Sequence, residues 1–167
     1  VAMTSTSSTT WTYVWDVPAG NDGVVTATVS GTDIAGNAYS GTDSITFTID
    51  NTSPVVTLTN TDNDNIVKDI DTVTITAAFS ESMTSTPTIT IGNLISNALM
   101  SIGVDNTTWT YLWDVPSGND GAISASVSGN DLAGNSYSGT DSITFTIDNT
   151  PPTVVISASE VSSGSVS

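Results

Sequence analysis

The chain has 167 residues, a formal net charge of −16 at pH 7, 17 acidic side chains against a single Lys, and neither His nor Cys. Without basic side chains to displace counterions it cannot hold nucleic acid, and an anionic membrane surface repels it. Disulfides are excluded, and so are the usual nucleophile–base pairs, so no catalysis is expected.

The first element is Trp11-Thr12-Tyr13-Val14-Trp15, which puts three aromatic rings on one face of a strand. Rings of that size are expected to fill a core that has no disulfide. An end Trp is expected to be partly exposed, because one sheet face has trouble hiding all three. Val25–Gly31 and Ile45–Asp50 follow, each with apolar residues at alternate positions, as in a half-buried antiparallel strand. The stretch Asp50-Asn51-Thr52-Ser53-Pro54 then stops strand pairing and stiffens the connection.

Seven strands are expected in the next hundred or so residues: Val55–Thr59, Thr72–Ser80, Thr88–Ile91, Ala98–Ile102, Trp109–Trp113, Ala122–Ser128 and Ser142–Asp148. Gly-, Asn- and Asp-rich turns separate them. A second linker, Asp148-Asn149-Thr150-Pro151-Pro152, leads to Val154–Ser157, a candidate opening strand.

The chain repeats itself. Thr9–Thr52 recurs as Thr107–Thr150 without a gap, identical at 35 of 44 positions. The period is too long for a solenoid turn of about 50 residues and suits an independent domain. Expected divisions are 1–52 (later part of one unit), 53–150 (a complete unit) and 151–167 (the first strand of a third), a window on a longer array. The fold class expected is all-β: tandem seven-stranded immunoglobulin-like sandwiches without a disulfide. An incomplete first unit of this kind needs its missing strands from another chain.

Chain direction reverses at each strand, so the loops sort to opposite ends of the sandwich. The joint before Pro54 should gather Asp22, Asp50 and Asn51 from one unit with Glu81, Asp105, Asp131 and Asp141 from the next. The joint before Pro151 should gather Asp62, Asp64, Asp120, Asp148 and Asn149. Crowded carboxylates repel unless a cation sits among them, and calcium accepts six to eight oxygens in a flexible arrangement. Asp50, Glu81 and Asp131 are the leading candidate ligands, followed by Asp62, Asp64 and Asp120. The competing expectation is that Asp33 and Asp131 cap tight hairpins before Ala-Gly-Asn.

Other patterns point to ordinary roles. Asp62-Asn63-Asp64-Asn65 opens like an EF-hand loop, but Val73 stands at the twelfth position and strands flank it. Thr74/Thr76, Thr88/Thr90 and Thr46/Thr48 suit the wet face of a strand better than a flat ice-binding array. Lys68 lies in a loop, away from the mid-strand position that an isopeptide crosslink would need.

Val29–Asn37 followed by Ser44–Pro54 resembles the last hairpin of bacterial Ig-like domains, and Phe79–Met83 with Thr86–Ile91 resembles their early strands. The resemblance covers the whole chain. Such domains stand in tandem in large surface adhesins, biofilm proteins and ice-binding adhesins. It implies a sandwich fold, an extracellular or cell-surface setting, and calcium at the joints. The expected function is a structural extender of an adhesin or surface fibre, with neighbouring domains of the same or another chain as partners, no nucleic acid and no membrane insertion. Two alternatives stand beside it: a filament subunit polymerised by strand exchange, and a carbohydrate-binding module using the Trp pairs.

Overall fold

Period-two alternation becomes a strand wherever a partner strand is at hand. The computed structural model describes residues 1–158. In it the chain forms β1 (Thr4–Ser5), β2 (Trp11–Thr12), β3 (Gly23–Thr28) and β4 (Ser44–Ile49) before the first linker. After the linker come β5 (Val56–Asn60), β6 (Ile66–Val67), β7 (Thr72–Phe79), β8 (Thr88–Ile91), β9 (Ile95–Leu99), β10 (Ser101–Ile102), β11 (Thr108–Asp114), β12 (Gly121–Ser128) and β13 (Ser142–Ile147).

The strands after the linker build two sheets, ordered β10-β11-β7-β5 and β6-β13-β12-β8-β9. Neighbours are antiparallel except β6, which runs parallel to β13 with Ile66 opposite Thr146 and Val67 opposite Ile147. The core lies between the sheets. Val73, Ile75, Ala77 and Phe79 of β7 are buried on one side, and Ile89, Ile91, Ala125, Val127, Phe145 and Ile147 on the other. The rings of Trp113 and Phe145 bridge the layers, with centroids 5.3 Å apart and a tilt of 57°. This is an immunoglobulin-like β-sandwich, held by apolar burial and not by a disulfide.

Three expectations change. Ala98–Ile102 is not one strand: β9 pairs with β8 and β10 pairs with β11, so the chain crosses between sheets at Met100. Met100 is buried at the crossing and its N–H donates to the Pro87 carbonyl at 3.0 Å, which satisfies the backbone group that leaves the ladder. Neither end Trp is exposed in this sandwich: Trp109 and Trp113 are both buried, and the middle ring, Tyr111, is the half-buried one. Val154–Ser157 forms no strand; Val154, Val155 and Ile156 are exposed. The rest of the expected third unit, 159–167, lies outside the described residues.

Before the linker, β1 pairs with β2 and β3 with β4, each as a two-stranded sheet. The register of β3 on β4, with Val25 opposite Phe47, repeats that of β12 on β13, with Ile123 opposite Phe145. The linker thus joins a half-sandwich to a complete one.

Candidate metal centre at the joint

Each linker is tied back to the hairpin it leaves. The Asp22 carboxylate accepts the Asn51 backbone N–H at 2.8 Å, its side-chain amide at 3.0 Å, and the Thr52 hydroxyl. The Asn51 amide also donates to the Gly20 carbonyl at 3.1 Å. The same clamp closes the second hairpin: Asp120 accepts the Asn149 N–H at 2.8 Å and the Thr150 hydroxyl at 2.6 Å, and the Asn149 amide donates to the Gly118 carbonyl at 2.6 Å. Asp22 and Asp120 both titrate below the ordinary 3.8, held down first by the threonine hydroxyl and then by the asparagine donors.

The turn after β12 supplies the other side of the first joint. Asp131 Oδ1 accepts the backbone N–H of Gly134 at 2.7 Å and of Asn135 at 2.8 Å, and Oδ2 accepts the Asn135 amide at 2.8 Å. Gly134 sits at φ 96°, a conformation that a side chain would strain. The sequence Asp-Leu-Ala-Gly-Asn therefore folds on its own carboxylate. The Asn135 amide also reaches across the joint and donates to the Asp50 carbonyl at 3.1 Å. Glu81 follows β7 in the neighbouring turn, which is stitched to the same loop by a bridge between Met83 and Asp131 and by the Thr84 N–H on the Asn130 carbonyl at 2.9 Å.

These contacts bring one carboxylate oxygen each of Asp50, Glu81 and Asp131 within 4.8 Å of one another. Asp131 is fully buried, and Asp50 and Glu81 are half-buried. Two unit charges at that spacing repel by on the order of 3 kcal/mol at an effective dielectric of about 20. Glu81 responds by titrating above its ordinary 4.5: burial is the largest cause, followed by the charges of Asp50 and Asp131 and by a hydrogen bond to Asp50 that needs the proton on Glu81. Asp131 goes the other way. Burial alone would raise it, but the Asn135 amide and the N–H groups of Asn135, Gly134 and Ala133 together outweigh burial and leave it below 3.8. A proton on Glu81 or a cation among the three oxygens relieves the repulsion.

Among the described residues this is the one group of acidic side chains close enough to share an ion. Asp62, Asp64 and Asp120 are not brought together. Asp62 accepts the N–H groups of Asp64 and Asn65, Asp64 accepts that of Ile66 at 3.0 Å, and Asp120 is engaged in its clamp. Asp105 caps its own turn through Thr107 and Thr108, Asp141 accepts the Tyr137 hydroxyl at 2.8 Å, and Asp148 accepts the Thr150 N–H at 3.1 Å. Asn135, whose amide crosses the joint, is absent from the sequence-based set. Its signal was its place four residues after Asp131, repeated as Asn37 after Asp33.

Residues 9–97 and 107–167 match the family model of the bacterial Ig-like domain (group 3), more than half of the chain. The chain belongs to that family. No curated protein matches it. Bacterial Ig-like domains are structural or surface modules, common in extracellular and surface proteins. In this bacterial Ig-like chain the first matched stretch opens on the half-sandwich, passes through the linker and ends at Asn97 in β9. The matched stretch therefore has the joint in its interior, not at its edge.

Proposed function

We propose that this chain is a spacer segment of an extracellular bacterial surface protein, an adhesin or fibre, in which consecutive sandwiches are held at a set angle and calcium stiffens the joint. The observation that carries the reading is the convergence of Asp50 from one side of the linker with Glu81 and Asp131 from the other. Three carboxylates on three separate loops offer oxygens that a hard cation can collect, with backbone carbonyls and solvent completing the shell. The cation then counts as a crosslink between units, and the Asp22 clamp keeps the linker short enough for it to form.

The arrangement does not favour a sugar platform. Trp15 and Phe47, 5.9 Å apart, are the counterparts of Trp113 and Phe145, which form the middle of a core. Small-angle scattering of the chain in calcium and in chelator tests the spacer reading. A longer, narrower pair-distance distribution is expected in calcium. Identical profiles in the two conditions would remove the stiffening role.

A further inference from the structure

Two structural demands fall on the same dipeptide in both hairpins. The clamp requires an Asp: Asp120 Oδ1 accepts the Asn149 N–H and Oδ2 the Thr150 hydroxyl, and Asp22 holds Asn51 and Thr52 in the same way. The next residue requires a Gly: Gly23 stands at φ 137° and Gly121 at φ 128°, where a side chain would be strained. The outcome is Asn-Asp-Gly at 21–23 and again at 119–121. No other Asp or Asn of the chain is followed by Gly.

An Asp–Gly step is open to ring closure, because no side chain shields the nitrogen that follows the Asp. The Gly121 nitrogen attacks the side-chain carboxyl carbon of Asp120. A new N–C bond forms, and the carboxyl hydroxyl leaves as water with the proton of that nitrogen. Water then adds to the Asp120 main-chain carbonyl of the succinimide and breaks its bond to the same nitrogen. The main chain now runs through the former side chain and is a carbon longer. The carboxylate left on the α-carbon is a carbon shorter. A water leaves and a water enters, so no oxidant or further reactant is needed. Asp120 and Gly121 are both exposed to that water.

The clamp opposes the first step. Ring closure needs the Asp120 carboxyl to turn back along its own chain to Gly121. Both its oxygens are instead held by residues 29 and 30 positions away, across the hairpin. We propose that Asp22–Gly23 and Asp120–Gly121 are sites of isoaspartate formation gated by the clamp. A closed clamp protects the step. An open clamp permits it, and the shortened carboxylate then no longer meets both linker donors. Release of a linker, as by a pull along the chain, thereby becomes permanent. This inference does not rest on the cation reading, and its test is run in chelator.

The test ages the full chain in warm neutral buffer beside its Thr150→Val and Thr52→Val variants and a peptide of residues 117–122. Isoaspartate is read by methylation with an isoaspartate carboxyl methyltransferase and located by fragmentation of the digested chain. Asp120 is expected to isomerise about tenfold more slowly in the chain than in the peptide, the scale set by hydrogen bonds to a charged group. Thr150→Val should raise the rate at Asp120 by about threefold and leave Asp22, whose clamp is untouched, as the internal reference. Thr52→Val should do the reverse, and unchanged Trp emission reports that each variant is folded. In the aged chain, molecules with isoaspartate at 120 should be cut by protease within 149–152 before unmodified ones. Equal rates in chain and peptide, no acceleration at Asp120 in folded Thr150→Val, or equal cutting of modified and unmodified molecules would overturn the proposal.

Discussion

Ile70 is a β-branched residue held at φ 72° and 86% exposed, in a turn where the Lys68 N–H bonds to Asp71 Oδ2 and the Asp69 N–H to Asn149 Oδ1. The left-handed region costs an L-residue roughly 1–2 kcal/mol, and the exposed side chain gains little in return. Ile70→Asn is therefore expected to stabilise the sandwich by about 1 kcal/mol, read as a higher urea midpoint with unchanged slope. A lower midpoint would show that the side chain has a partner. Glu81 sets a second residue-scale expectation. Its pKa is raised, so its contribution to stability is fully present below its ordinary 4.5 and is lost as pH rises through the higher folded value. Asp131, with a lowered pKa, contributes above 3.8 and loses that contribution as pH falls through its folded value. In chelator, Glu81→Gln should remove the loss of stability that sets in as pH rises above 4.5 and leave the low-pH fall unchanged. Urea titrations across that range check it, and an unaltered profile would mean that Glu81 does not feel its two neighbours.

Among the elements, the clearest case is Trp-Thr-Tyr-x-Trp, which occurs twice with two outcomes. At Thr108–Asp114 it is a seven-residue strand pairing with Thr72–Ala78 of β7; at Trp11–Thr12 it is a two-residue strand. The alternation was legible in the sequence, but strand length depends on the neighbour that accepts the hydrogen bonds. The same limit explains the crossing at Met100. Ala98–Ile102 reads as one run, and only the competing edges of β8 and β11 divide it. β6 leaves no mark in the sequence, because two residues carry no period. The joint was more legible, since alternating strand direction alone brings Asp50, Glu81 and Asp131 to one end. Strand direction does not reveal that neighbouring N–H groups occupy Asp62, Asp64 and Asp120. Core packing gives the element-scale prediction. Phe145→Ala removes the ring that meets Trp113 and should cost about 3–5 kcal/mol, enough to unfold the sandwich at moderate temperature. Thermal unfolding followed by Trp emission reads this, and a loss under about 1 kcal/mol would mean that the site collapses around the gap.

At the scale of the whole molecule, the chain is a half-sandwich and a sandwich fastened at one joint by three devices: the Asp22 clamp, the Asn135 bridge to the Asp50 carbonyl, and the carboxylate triangle. The first two are hydrogen bonds that need no ion. The third repels itself until it is neutralised, and under the proposed function a divalent cation does so. Calcium at a hundredfold excess over its dissociation constant should stabilise the folded chain by about 2.7 kcal/mol, with chelator reversing the shift in midpoint. The most direct measurement is calorimetric titration of calcium into the chain and into its Asp131→Asn variant near neutral pH. The account predicts one bound ion in the chain and at least tenfold weaker uptake in the variant. No heat of binding in the chain, or equal binding in both proteins, would contradict it.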